Sequence, residues 1–129
     1  MDNSKTRILV TDDEYDFRQL MVVWLESKGY RVTAVSDGKS AVKAVKEDPP
    51  DIVFLDLNMP VMDGVETLKR IREFNKDIPV IIISAYLDRL RLTEVKPYNV
   101  SGVFYKGEDF EKGLSLLEST LRTHKRLKK

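Results

Sequence analysis

Short apolar runs that stop on polar residues set the rhythm of the chain. Arg7-Ile8-Leu9-Val10-Thr11 gives way to Asp12-Asp13-Glu14, Ile52 to Leu55 to Asp56, Val80 to Ile83 to Ser84, and Gly102 to Tyr105 to Lys106. Ile52-Val53-Phe54-Leu55 shows no polar face, which predicts a short strand covered on both sides, as in a parallel sheet with helices on each face. Tyr30 to Val35 alternates, also as a strand does.

Between these runs the period changes. Phe17, Leu20, Met21, Trp24 and Leu25 recur at i, i+3, i+4, i+7 and i+8, which predicts one apolar helical face ending at Gly29, a good C-cap. Ser36 or Asp37 can cap a helix bearing Ala41, Val42 and Val45, and Asp48-Pro49-Pro50 stops it. After the loop Met59 to Gly64, the residues Val65, Leu68, Ile71 and Phe74 predict a helix with Lys69, Arg70, Arg72 and Glu73 on its wet side. Asp109 can cap a last helix carrying Phe110, Leu114, Leu117 and Leu121. Strand and helix alternate, and every crossover is too long for a hairpin. The expected fold is therefore α/β, a parallel sheet with right-handed crossovers.

A chain of 129 residues allows one domain with a real core. The expected division is one domain over residues 1–129, with a core of about 6–122 and a basic tail over 123–129. A net charge of +1 gives no strong pull towards nucleic acid or membrane, and the absence of cysteine excludes disulfides and thiolate metal ligands. With no signal-peptide core and no apolar stretch of spanning length, a cytoplasmic location is expected.

The carboxyl ends of parallel strands all point one way, and that rim is where ligands bind in open α/β sheets. It would collect Asp12, Asp13, Asp56, Ser84 and Lys106. Taken singly, each has a local explanation: a helix cap, a turn, a surface charge. Together they would need independent coincidences at successive strand ends. Carboxylates about 4 Å apart repel by roughly 1 to 4 kcal/mol per pair, so a cation must compensate. Mg²⁺ suits all-oxygen ligands and is usually held by one or two carboxylates plus a phosphate. Lys106 adds a mobile point charge and Ser84 a hydroxyl. These parts match phosphoryl transfer, with Asp56 as a nucleophile able to form an aspartyl-phosphate.

Over almost its whole length the chain resembles the receiver (CheY-like) domain of two-component response regulators. Asp12-Asp13 looks like the family's acidic pair and Phe54-Leu-Asp56-Leu-Asn-Met-Pro-Val-Met-Asp-Gly64 like its phosphoacceptor motif. Ser84-Ala85 matches its hydroxyl position and Lys106 its lysine. The resemblance implies a doubly wound, flavodoxin-like (βα)5 domain with strand order 2-1-3-4-5. It implies that Asp56 takes a phosphoryl group from a partner histidine kinase or phosphotransfer protein in a Mg²⁺-dependent reaction. Asp13, Asp56 and the Asn58 backbone carbonyl would bind the metal directly, with Asp12 acting mostly through water. Its implied catalysis is limited to its own phosphorylation and slow self-dephosphorylation. An output partner would read the face formed by 84–106 and 109–122.

Three departures from the family pattern bear on switching. Gly107 follows Lys106 where the family often has a proline, so a looser loop is expected. Val103 stands where a switch aromatic usually lies, three residues before the lysine, and strand alternation turns Phe104 to the opposite face. In the segment Tyr86 to Pro97, the proline falls where the family's fourth helix should still run, predicting a helix shortened or shifted at its C-terminal end.

The ending Arg122 to Lys129 is basic without interleaved aromatics and reads as a solvated helix end that opposes the macrodipole. Direct contact with nucleic acid is not expected. Two other classes remain. An aspartate-nucleophile phosphohydrolase is disfavoured, because Asp56-Leu57-Asn58 lacks a second carboxylate two residues on. A scaffold with a silent site is disfavoured because every site residue type is retained. A glycine-rich nucleotide loop is missing after the first run.

Overall fold

In the computed structural model, which describes residues 3–85 and 89–127, strands and helices alternate throughout. The elements are β1 (Arg7–Thr11), α1 (Tyr15–Ser27), β2 (Arg31–Val35), α2 (Gly38–Glu47), β3 (Ile52–Asp56), α3 (Gly64–Phe74), β4 (Val80–Ser84), α4 (Arg89–Val95), a 3₁₀ turn (Lys96–Tyr98), β5 (Gly102–Tyr105) and α5 (Phe110–Leu127). All strand pairs are parallel, in the order β2-β1-β3-β4-β5. This is the doubly wound order that the resemblance implied. Tyr86, Leu87 and Asp88 of the variant segment, and Lys128 and Lys129 of the basic tail, lie outside the described residues.

β3 and β4 are buried along their whole length, which is why neither shows sequence alternation. Their side chains nonetheless divide between two cores. Val53, Leu55, Val80 and Ile82 pack with Ala41 and Val45 of α2, Leu68 and Ile71 of α3 and Val95 of α4. Ile52, Phe54, Ile81 and Ile83 pack with Met21 and Leu25 of α1 and Leu117 of α5. The central strand therefore sits between two helical layers, and its carboxyl end is the first point at which a polar side chain emerges.

Local chemistry sets the helix boundaries. Gly29 takes φ +94°, its amide donates to the Glu26 carbonyl at 3.0 Å, and the Tyr30 amide donates to the Leu25 carbonyl at 3.3 Å. These two bonds form a Schellman ending to α1. Asp37 rather than Ser36 caps α2, accepting from the Ser40 amide at 2.7 Å. Asp63 caps α3 by accepting from Glu66 at 2.9 Å, and the Asp109 carboxylate accepts from the Glu111 amide at 3.0 Å at the start of α5.

Two positions expected on apolar helical faces are instead wet. Leu20 of α1 is 57% exposed, because the stripe that meets the sheet is narrower than its sequence period and is filled by Met21 and Leu25. Phe74, in the last turn of α3, is 40% exposed and lies under the Lys46 ammonium at 5.6 Å, beyond the edge of the core that Ile71 closes.

The described part of the variant segment ends as expected at its C-terminal side. α4 has seven residues and passes straight into the 3₁₀ turn that contains Pro97. Asn99 then takes a left-handed φ of 57°. Arg72 of α3, itself buried, clamps this turn: it donates to the carbonyls of Tyr98 at 2.7 Å, Asn99 at 3.0 Å and Asn75 at 3.1 Å.

Gly64 fixes the distance between α3 and β3. Its amide donates to the Leu57 carbonyl at 2.9 Å, and a Cβ at this position would lie 2.6 Å from Leu57 Cα and 2.9 Å from the Asp56 carbonyl carbon. The obstacle is backbone and cannot swing aside. Gly64→Ala is expected to cost about 1–3 kcal/mol, read as a lower urea midpoint. A midpoint equal to wild type would show that α3 retreats from β3 without cost.

Candidate functional site

Three carboxylates converge at the carboxyl ends of β1 and β3. Oxygen atoms of Asp12, Asp13 and Asp56 all lie within 4.8 Å of one another. Parallel register puts them there, since β1 and β3 are paired neighbours and both end at this rim. Asp12 and Asp56 are buried, whereas Asp13 faces solvent.

Lys106 enters from the end of β5. Its ammonium lies 3.1 Å from Asp12 Oδ2, 3.5 Å from Asp56 Oδ2 and 3.1 Å from Glu14 Oε1. It also sits 4.9 Å above the Phe17 ring, a cation–π contact that holds the methylene stem against α1. The Lys106 amide donates to the Ser84 carbonyl at 2.9 Å, which ties the lysine to the end of β4.

One of the two oxygens of each buried carboxylate is engaged. Asp12 Oδ1 accepts from the Glu14 amide at 2.8 Å and Asp56 Oδ1 from the Asn58 amide at 3.2 Å. The other oxygens, Asp12 Oδ2 and Asp56 Oδ2, are buried without an aligned hydrogen-bond donor, although Lys106 is within ion-pair distance of both. Asp12 thus serves as the local turn residue that its sequence position allows, and also contributes an oxygen to the cluster.

Burial, reinforced by the neighbouring Asp12 charge, pushes the Asp56 carboxyl up to about 7, against the opposing pull of Lys106 and the Asn58 amide. For Lys106 burial works towards a lower value, but the charges of Asp56 and Asp12 and the bonds to Asp12 and Glu14 outweigh it and hold the ammonium above its ordinary value. The cluster therefore carries excess negative charge in a dry place. Orphaned carboxylate oxygens beside an exposed third carboxylate form the all-oxygen donor set that a hard divalent cation takes, so the residues present fit Mg²⁺.

Ser84 is buried at the same rim, but its hydroxyl donates to the Ala85 carbonyl at 3.0 Å and is not turned into the cluster. Val103 and Phe104 face opposite cores, as strand alternation predicts. Gly107 takes φ +94°, and the turn that follows Lys106 is closed by reciprocal bonds between Tyr105 and Glu108, at 3.0 and 3.1 Å, in place of a proline. Sequence reasoning assigned no role to Glu14 or Phe17. The first is a third acid directly after Asp12-Asp13, and the second was counted only as part of an apolar stripe.

Residues 8–118 match the family described as the response regulator receiver domain. Among curated proteins, the chain is 36% identical over 127 residues to the transcriptional regulatory protein ZraR of Klebsiella oxytoca, covering 98% of this chain and 28% of that one. It is 34% identical over 105 residues to sporulation initiation phosphotransferase F of Bacillus subtilis, covering 81% of this chain and 85% of that one. Among solved structures, Vibrio cholerae chemotaxis protein CheY4 superposes with a TM-score of 0.82 at 28% identity, over 88% of this chain and 97% of that one.

The pH dependence of stability follows from the raised Asp56 carboxyl. In the unfolded chain this group ionises near pH 4, and in the folded protein near pH 7. The cost of ionising it in place is absent below the unfolded value, grows between the two and is complete above the folded one. In magnesium-free buffer, Asp56→Asn should therefore stabilise the fold more at pH 8 than at pH 5, by a difference of the order of 2 kcal/mol. Urea unfolding at both pH values checks this, and a gain independent of pH would show that Asp56 is not the strained group. The profile match, the relatives and the shared strand order agree: the chain belongs to the response regulator receiver domain family of two-component systems.

Proposed function

We propose that Asp56 is the phosphoacceptor of this receiver domain, taking its phosphoryl group from phosphohistidine on a partner kinase or phosphotransfer protein. The observation that carries this reading is the buried Asp56 carboxylate held between Asp12, Asp13 and the Lys106 ammonium at the rim of the sheet. An Asp56 carboxylate oxygen forms the new P–O bond as the donor's P–N bond breaks, and the leaving imidazole takes up a proton. Asp13, Asp56 and the Asn58 carbonyl would hold Mg²⁺, with Asp12 acting through water. When bound, the metal neutralises charge on the phosphoryl oxygens.

Lys106 is placed to meet the incoming phosphoryl oxygens while remaining anchored to Asp12, and Glu14 and Phe17 keep it over the site. The Ser84 hydroxyl must leave the Ala85 carbonyl to bond a phosphoryl oxygen, and this exchange of acceptors draws the β4 end towards Asp56. The face made by 84–106 and 109–122 then presents a changed surface to an output partner. The receiver core is proposed to run over about 6–122, and the basic segment 123–129 begins within the last turns of α5. No described helix is long and apolar enough to cross a membrane, and a cytoplasmic location fits the proposed exchange with a phosphohistidine donor. The Bacillus relative matched over most of its length is named a phosphotransferase, which supports onward transfer of the group to another protein.

Incubation with Mg²⁺ and acetyl phosphate should add one phosphoryl mass to the intact protein. Asp56→Asn should abolish the gain, and chelation of the metal should slow it about 100-fold, the order of loss expected when one charge-stabilising partner is removed. A wild-type protein that gains no mass, or an Asp56→Asn variant that gains it equally, would sink the assignment.

A further inference from the structure

One side chain of α4 reaches across to the loop that carries the phosphoacceptor. Arg91 Nη2 lies 2.7 Å from Asp63 Oδ2, and Nη1 donates to Asn58 Oδ1 at 3.3 Å. These two partners bracket the β3–α3 loop. The Asn58 amide donates to Asp56 Oδ1 at 3.2 Å, and Asp63 uses its other carboxylate oxygen to cap α3 at 2.9 Å. A single guanidinium thus spans the residue bonded to Asp56 and the residue that starts α3.

The rest of Arg91 shows what orients it. Nε is buried and has no hydrogen-bond partner among the described residues, while Glu94, the acid on its own helix, is 3.8 Å away. The two shortest contacts of the guanidinium go to the loop, and only a longer ion pair is kept with Glu94. The other end of the segment is fixed independently, because Arg72 clamps the carbonyls of Tyr98 and Asn99 just after α4. The short helix is pinned at its far end and tied to the site near its start.

We propose that Arg91 is a positioning residue for the phosphoacceptor loop, and that its pair with Asp63 is the link through which loading of Asp56 moves α4. The second half rests on Asp56 being the phosphoacceptor. A phosphoryl group on Asp56 brings new charge and acceptor oxygens beside Asn58, which compete with Asp63 for the guanidinium and release the helix from its resting place. The coupling is reciprocal: displacing α4 also loosens the loop.

The test is hydrogen exchange of the α4 amides in the full chain, compared among wild type, Arg91→Ala, Asp63→Asn and the double variant. Each is measured before and after Mg²⁺ with acetyl phosphate. Asp63→Asn keeps a capping oxygen for α3 and removes only the charge that holds Arg91. Before loading, Arg91→Ala should speed α4 exchange about 3- to 10-fold and Asp63→Asn somewhat less, since the Asn58 contact survives it, and the double variant should match Arg91→Ala because the guanidinium that Asp63 holds is already gone. Loading should speed α4 exchange in wild type and add less than about 2-fold in the variants, whose link is already broken. Wild-type exchange rates in both single variants, single effects that multiply in the double, or an equal response to loading in all four proteins would overturn the proposal. Intact mass of the same samples reports Asp56 separately. A wild type that gains no phosphoryl group fails the phosphoacceptor reading, while the unloaded comparison still decides whether Arg91 holds α4.

Discussion

Two buried carboxylates, Asp12 and Asp56, face a third at the edge of a dry sheet, and among the described residues only Lys106 answers their charge. Left to itself, such a group would separate or take up protons. It persists because one buried carboxylate ends β3 and the other directly follows β1, paired parallel strands whose positions are fixed by cores on both faces. Packing energy gathered far from the rim thus holds like charges together there, and the proposed divalent cation would relieve the tension. Gly64 sharpens this arrangement by letting α3 approach the backbone of Asp56 itself.

Much of this was legible in the chain. Unbroken apolar runs such as Ile52 to Leu55 declare a strand covered on both faces, and a polar residue at the end of each run declares the rim. Sheet order was not legible from periodicity, because alternation of strand and helix leaves the neighbours of each strand open; the resemblance supplied it. Leu20 and Phe74 misled for a related reason. Helical spacing reports which side chains share a face and not how wide the covered stripe is, which depends on how the helix lies across the sheet.

The site residues divide along the same line. Asp12, Asp13, Asp56 and Lys106 each stand at a strand end and could be collected from position alone. Glu14 and Phe17 steady Lys106 from α1, and Arg91 reaches Asn58 and Asp63 from α4; these contacts depend on side-chain reach across the rim. The orientation of the Ser84 hydroxyl is likewise a matter of rotamer, settled by the nearby Ala85 carbonyl. Pro97 was informative about where α4 stops, since it lies in the 3₁₀ turn that directly follows the helix.

The distance in sequence between the partners has a consequence for the life of the chain. Asp12 and Lys106 are 94 residues apart, and between them lie the strands that must assemble before they meet. Such contacts form late, because the entropy of closing the long loop is lost before any contact is gained. A growing polypeptide that has made β1 and β3 but not β5 holds its carboxylates without their lysine. On the proposed reading, the full set of site residues comes together only with the last strand, so the site is a product of the completed sheet and not of any one of its halves.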